Sequence, residues 1–206
     1  MIPRLCYITD GERGSAGRPL DQLLREALSG GPLAVLLRER TLDGRASEAL
    51  IDSLLPLRRQ GLVLLVSRRL DLARSFGLDG VQLAADAVPV RAARDWLGPD
   101  TLLGYSAHSR DEALRAAEDG ASYVTLSPIF ATASKPGAPG RGLAWLEQCT
   151  ADLPIPVLAL GGVTPERTEG TLRAGAWGVA AVSAIGAERD VAEAVRRFRR
   201  ALEIHA

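Results

Sequence analysis

Residues 109–127 read SRDEALRAAEDGASYVTLS, and this stretch sets out in one pass the unit from which the whole chain is built. Ser109 ahead of Asp111 and Glu112 has the form of a helix N-cap with acidic residues in the first turn. The helix candidate runs from Arg110 to Glu118, and Gly120 follows it as a C-cap. A β-rich run, Tyr123 to Ser127, then begins without a linker. The same ending recurs in Arg59-Gln60-Gly61-Leu62, Phe76-Gly77-Leu78-Asp79-Gly80 and Arg173-Ala174-Gly175-Ala176.

Working outward, the strand-and-helix rhythm occurs eight times. The remaining strand candidates are Leu5 to Thr9, Leu33 to Leu37, Leu62 to Val66, Gly80 to Leu83, Leu102 to Ser106, Pro156 to Leu160 and Gly178 to Ser183. The helix candidates between them are Leu20 to Leu28, Ala46 to Gln60, Leu70 to Phe76, Val88 to Trp96, Leu143 to Gln148, Pro165 to Ala174 and Arg189 to Glu203. Thr164-Pro165-Glu166 places Pro at a first helical position. Near-continuous apolar strands alternating with helices imply a parallel sheet buried on both faces. The expectation is an α/β protein with a single-domain (β/α)8 TIM barrel over residues 1–206, near the lower size limit of about 200 residues for that fold. The alternative is an open doubly wound sheet. Against it, Thr9-Asp10-Gly11-Glu12-Arg13-Gly14 lacks the glycine spacing of a dinucleotide fingerprint.

Composition excludes several classes. The 25 basic and 25 acidic residues cancel, which argues against a nucleic-acid partner, and the 47% hydrophobic content is too high for a disordered chain. Leu62 to Val66 and Ile155 to Leu160 are among the longest apolar runs and fall far short of the ~20 residues of a membrane span. No signal triplet opens the chain, so a cytoplasmic location is expected. Cys6 and Cys149 lie in apolar segments without metal-ligand spacing and read as reduced core residues. Of the 25 basic residues only Lys135 is Lys, in the Gly- and Pro-rich stretch Ala131 to Gly142, which reads as a catalytic-face loop. His205 lies in a terminal tail and is set aside.

In a barrel the active-site loops begin at the strand C-termini. The residues collected there are Asp10, Arg38, Glu39, Arg40, Ser67, Arg68, Asp86, Ser106, His108, Ser127, Lys135, Gly161, Gly162 and Ser183, with cations in excess, which implies an anionic ligand. Leu160-Gly161-Gly162-Val163 and Val182-Ser183-Ala184-Ile185 follow the seventh and eighth strands, where many barrels hold a phosphate on backbone N–H groups and a helix N-terminus. A tight strand-to-helix turn is the plainer reading of the same glycines. Arg38 and Arg40 are either one in the mouth and one on the rim, or an exposed pair bridged by Glu39. His108 suits proton transfer, though a loop His equally serves as a cap or hydrogen-bonding group. No nucleophile triad is evident, and Asp10, Glu39 and Asp86 suggest no metal cluster.

The chain resembles the thiamin phosphate synthase superfamily, which includes the synthases and the TenI-type thiazole tautomerases. The resemblance rests on Tyr7-Ile8-Thr9-Asp10, Leu37-Arg38-Glu39-Arg40, Asp79-Gly80-Val81-Gln82-Leu83, Gly104-Tyr105-Ser106-Ala107-His108-Ser109, Ser127-Pro128-Ile129-Phe130-Ala131-Thr132-Ala133-Ser134-Lys135, Gly161-Gly162-Val163-Thr164-Pro165 and Val182-Ser183-Ala184-Ile185. Synthases of this kind join a pyrimidine pyrophosphate to a thiazole phosphate, using magnesium held by acidic residues. Their Asn-Asp after the third strand is Ser67-Arg68 here, their Glu-Asp after the fourth is Asp86-Ala87, and the Gln ahead of Leu37 is Leu36. All three departures fall on the pyrimidine and metal half.

The resemblance therefore implies a metal-free, cofactor-free tautomerase that isomerises a thiazole carboxylate phosphate. His108 would be its proton shuttle. Arg38, Arg40 and Lys135 would hold the carboxylate, and Ser106, Gly161, Gly162, Ser183 and Ala184 would complete the substrate site. The alternatives are a magnesium-dependent synthase, with Asp86 and Asp10 as its metal ligands, and a non-catalytic phosphate-binding or regulatory protein. The expected partner is a small-molecule thiazole phosphate, without nucleic acid or membrane and with a homodimer left open.

Overall fold

Eight short runs of apolar residues form a closed parallel barrel in chain order, β1-β2-β3-β4-β5-β6-β7-β8, with β8 returning to β1 through Leu5–Val179 and Tyr7–Ala181 pairs. The strands are β1 Leu5–Ile8, β2 Leu33–Leu37, β3 Leu62–Ser67, β4 Gly80–Leu83, β5 Leu102–Ala107, β6 Tyr123–Leu126, β7 Val157–Leu160 and β8 Gly178–Ala181. The helices are α1 Leu20–Ser29, α2 Gly44–Leu54, α3 Leu70–Ser75, α4 Val90–Leu97, α5 Arg110–Glu118, α6 Leu143–Thr150, α7 Pro165–Arg173, α8 Ser183–Gly186 and α9 Val191–Glu203. This computed structural model describes residues 1–11, 17–132, 137 and 139–203. The open-sheet alternative is excluded, and the chain is a single-domain (β/α)8 barrel.

Strand alternation divides the core in two. On β2, Leu33, Val35 and Leu37 face the helices, while Ala34 and Leu36 join Cys6, Ile8, Leu65, Tyr123, Leu158 and Ala180 inside the barrel. Outside, α9 packs between α7 and α1, with Phe198 and Val195 fully buried. Both cysteines are free and buried, and burial pushes the Cys6 thiol up to about 12.

The helix ends follow from local sequence. Gly120 takes φ 96°, its N–H donates to Ala117 O and the N–H of Ala121 donates to Ala116 O, which is a Schellman closure. Gly77 and Gly175 close α3 and α7 in the same pattern. Ser109 caps α5 by accepting from Glu112 N, and Pro165 opens α7.

Several boundaries shift by one or two residues from the sequence reading, and three differences are instructive. The helix expected over Ala46 to Gln60 is α2 followed by a 3-10 turn, Leu55–Gln60, because Pro56 has no N–H for an α-helical bond. The helix expected from Val88 starts at Val90, since Val88 precedes Pro89 and is steered away from helical angles. The eighth strand ends at Ala181, and Ser183 opens α8 instead of closing β8. None of the described helices is long and apolar enough to cross a membrane.

Candidate functional site

The carboxyl ends of the strands surround one cavity of about 1110 Å³. Of the residues expected at the site, Arg38, Arg40, Ser106, His108, Gly161, Gly162, Ser183 and Ala184 all line it. Lys135 lies outside the described residues.

One side is built by β7 and β8. Gly161 and Gly162 take φ 96° and 63°, a region open to glycine at no steric cost. They also lie against the loop after β6: a Cβ on Gly162 would sit 2.4 Å from Ala131 O, and one on Gly161 2.8 Å from Pro128 Cα. That loop is fastened down by Ile129 N–H to Leu160 O and Phe130 N–H to Gly161 O, both 2.9 Å. The turn therefore requires both glycines, as the plainer reading has it, and the same turn lines the cavity. Arg167, stacked over the Phe130 ring, donates to Gly162 O at 2.7 Å and fixes that peptide.

Next to it α8 begins at Ser183, and its first inward bond is the Ile185 N–H to Val182 O. Ser183 and Ala184, whose amides precede that bond, both line the cavity. Arg18 donates to Gly186 O at 3.0 Å and Glu188 O at 2.8 Å, holding the far end of α8 in place.

The opposite side is guanidinium-rich. Arg38 and Arg40 share the parity of the interior residues Ala34 and Leu36, so both line the mouth, and among the described residues neither forms an ion pair with Glu39. Arg38 instead pairs with Asp10 at 3.0 Å, and its backbone N–H donates to Thr9 Oγ1. Arg68 pairs with Asp86, and that contact, with help from Arg40, holds the Asp86 carboxyl below the usual carboxylate range. Arg69 does the same for Asp71.

The floor is polar. Gln82 Nε2 donates to Ser106 Oγ at 3.0 Å and reaches Thr125 Oγ1 at 3.4 Å. Gln82 and Thr125 were not singled out from the sequence. The available signal was a polar residue at interior parity within an apolar strand, inside the strand and not at its end.

His108 Nδ1 lies 2.8 Å from the Ser127 carbonyl, which only accepts, so Nδ1 donates in this contact. Its own N–H donates to Glu112 Oε2. The ring thus fastens the end of β5 to the end of β6.

The resemblance implies magnesium on acidic residues, and the residues present do not fit it. Asp10 and Asp86 stand at the ends of β1 and β4, three strands apart, and each carries a guanidinium. Mg²⁺ needs hard oxygen donors, whereas Arg68 brings a positive charge. The reading of Asp86 and Asp10 as a ligand pair is therefore corrected. Among the described residues no group of three or more His, Cys, Asp or Glu side chains converges.

The fold and the cavity together define a (β/α)8 barrel protein whose mouth has a glycine turn and a helix start after its last two strands and guanidinium groups across from them. The chain belongs to the thiamine monophosphate synthase family, whose model matches residues 5–185. The thiamine-phosphate synthase of Moorella thermoacetica is 39% identical over 195 residues, covering 94% of this chain and 93% of that one. That of Methanoculleus marisnigri is 40% identical over 198 residues, covering 94% and 92%. The solved thiamine phosphate pyrophosphorylase from Pyrococcus furiosus superposes with a TM-score of 0.87 at 30% identity, covering 98% of this chain and 96% of that one. These relatives overturn the expectation of a TenI-type tautomerase, since they carry synthase names along nearly the full length of this chain.

Proposed function

We propose that the protein is a thiamine-phosphate synthase, joining a pyrimidine pyrophosphate to a thiazole phosphate. The observation that carries the reading is one cavity lined by a glycine turn and helix start at one end and by guanidinium groups at the other. Its volume of about 1110 Å³ stands at the upper end of the roughly 300–1,000 Å³ usual for small-molecule sites, which leaves room for two small reactants. A glycine-and-helix cradle at β7 and β8 matches a phosphate monoester, and Arg38 with Arg40 across the mouth matches the more highly charged pyrophosphate. Similarity to synthases over the whole chain supports the same conclusion.

Coupling forms a bond between the thiazole nitrogen and the pyrimidine's exocyclic carbon. The carbon–oxygen bond to pyrophosphate breaks, and the pyrophosphate leaves with its electron pair. No proton is relocated on the thiazole, so the work is positioning and charge stabilisation, and holding two reactants aligned is worth effective molarities of about 10⁵–10⁸ M. In this reading Gly161, Gly162, Ser183 and Ala184 bind the thiazole phosphate. Arg38 and Arg40 bind the pyrophosphate. Ser106, with Gln82 beside it, offers polar atoms where the two heterocycles meet. His108 is a positioning residue, orienting the strand ends through Ser127. Lys135 is assigned to substrate by resemblance alone.

The test is to incubate the protein with both substrates in magnesium-containing buffer and follow products by chromatography. Thiamin phosphate and pyrophosphate should appear in equal amounts, and only when both substrates are present. No thiamin phosphate with both substrates saturating would overturn the reading.

A further inference from the structure

Arg68 is the residue at which this mouth departs furthest from a metal site. Its φ of 64° lies in the left-handed region, which Arg seldom adopts and Asn and Asp favour several-fold. The backbone there is fixed on both sides: Arg68 N–H donates to Gln82 O at 3.0 Å, and Leu70 N–H donates to Arg68 O at 3.1 Å. An unfavourable conformation held this firmly delivers a guanidinium to a chosen place at the cavity wall. That place is the Asp86 carboxylate.

The Arg68 and Asp86 side chains are 46% and 70% exposed, so their ion pair is weakly held and open to exchange. A carboxylate is the internal stand-in for an external anion, and a pyrophosphate carries more charge and more acceptor oxygens than Asp86 does. A guanidinium also presents paired donors that match phosphate oxygens two at a time, which an ammonium does not. Arg40 lines the same cavity and adds to the positive field that favours a charged Asp86. Of the other carboxylates of the mouth, Asp10 is engaged by Arg38.

We infer that Arg68 takes up the pyrophosphate of the pyrimidine substrate in the place where a divalent cation would otherwise stand, so that this mouth binds and releases pyrophosphate without metal. The inference rests on the synthase reading for its role in coupling, and on geometry alone for the anion site. In coupling, the guanidinium would bear on the oxygens that gain charge as the carbon–oxygen bond breaks. Asp86 would return to Arg68 once pyrophosphate has left.

The experiment is calorimetric titration of inorganic pyrophosphate into the full chain, in EDTA and then in magnesium buffer. Wild-type protein should bind in EDTA. Arg68→Ala should weaken that binding by about tenfold to a hundredfold, the loss expected for charge-assisted hydrogen bonds to an anion. Arg68→Asp is the more searching variant, because Asp accepts a φ of 64° better than Arg and so keeps the fold. It sets a second carboxylate beside Asp86, so pyrophosphate binding should fall in EDTA and recover when magnesium is added. Wild-type binding that appears only with magnesium, or Arg68→Ala binding equal to wild type in EDTA, would overturn the inference. The coupling assay, repeated in EDTA, separates the two claims. A rate that survives EDTA supports the role of Arg68, and a rate abolished by EDTA refutes it. If no coupling occurs in either buffer, the synthase reading falls, and the titrations still decide whether Arg68 holds pyrophosphate.

Discussion

A Cβ placed on Gly104 would lie 2.1 Å from Gln82 Oε1 and 2.5 Å from Tyr123 Oη, so the missing side chain is what admits both groups to the barrel interior. Neither Gln82 Oε1 nor Tyr123 Oη has a hydrogen-bond partner, and desolvation drives the Tyr123 phenol well above its ordinary value. A buried polar atom without a partner costs about 1–3 kcal/mol. Tyr123→Phe removes one such atom and leaves the ring in place, so it should leave stability unchanged or raise it by about 1 kcal/mol in urea unfolding. A loss above about 2 kcal/mol would show that the hydroxyl is satisfied within the barrel. Residue identity alone made Gly161, Gly162 and Ser183 legible in the sequence, because their places after the last strands follow from the barrel's order. The partner and backbone angle of Arg68 were not legible, since Asp86 is brought across from the next loop and the angle is held by bonds to Gln82 O and from Leu70 N–H.

Between elements, Asp79 is the joint at the foot of β4. It accepts from Arg58 Nε at 3.1 Å and Nη2 at 2.6 Å, and from the backbone N–H of Leu64 at 2.7 Å. One carboxylate thus ties the 3-10 turn, β3 and β4 together. Asp79→Ala should lower stability by about 1–3 kcal/mol, since it leaves the Leu64 N–H and a guanidinium without their acceptor. The urea midpoint should move while the slope does not. Anion affinity should also be unaffected, because Asp79 stands at the N-terminal end of β4, away from the mouth. A change below about 0.5 kcal/mol would mean that solvent replaces the carboxylate without cost. At this scale the sequence was most informative where structure is set within a few residues, as in the Gly120 closure and the Ser109 cap. It misjudged α2 by passing over Pro56, and it extended β8 through Ser183 because an apolar run does not reveal where a strand yields to a helical turn.

For the whole molecule, barrel closure turns eight unrelated strand ends into one mouth with a glycine turn and a helix start on one side and guanidinium groups on the other. The fold was readable because eight repeats of one unit allow few arrangements. The reaction was misread because loss of the metal carboxylates was taken as loss of the pyrophosphate substrate. Arg38, Arg40 and Arg68 keep that end of the mouth cationic, so an altered ligand set changes how an anion is held before it changes which reaction is run. The central claim is that two anionic substrates occupy this mouth together. Calorimetric titration of pyrophosphate into protein already saturated with thiazole phosphate tests it most directly, with magnesium present so that the outcome does not depend on the metal question. The account predicts the same stoichiometry and an affinity equal to or tighter than that without thiazole phosphate. Displacement of one ligand by the other would contradict it, leaving a single anion site where two are claimed.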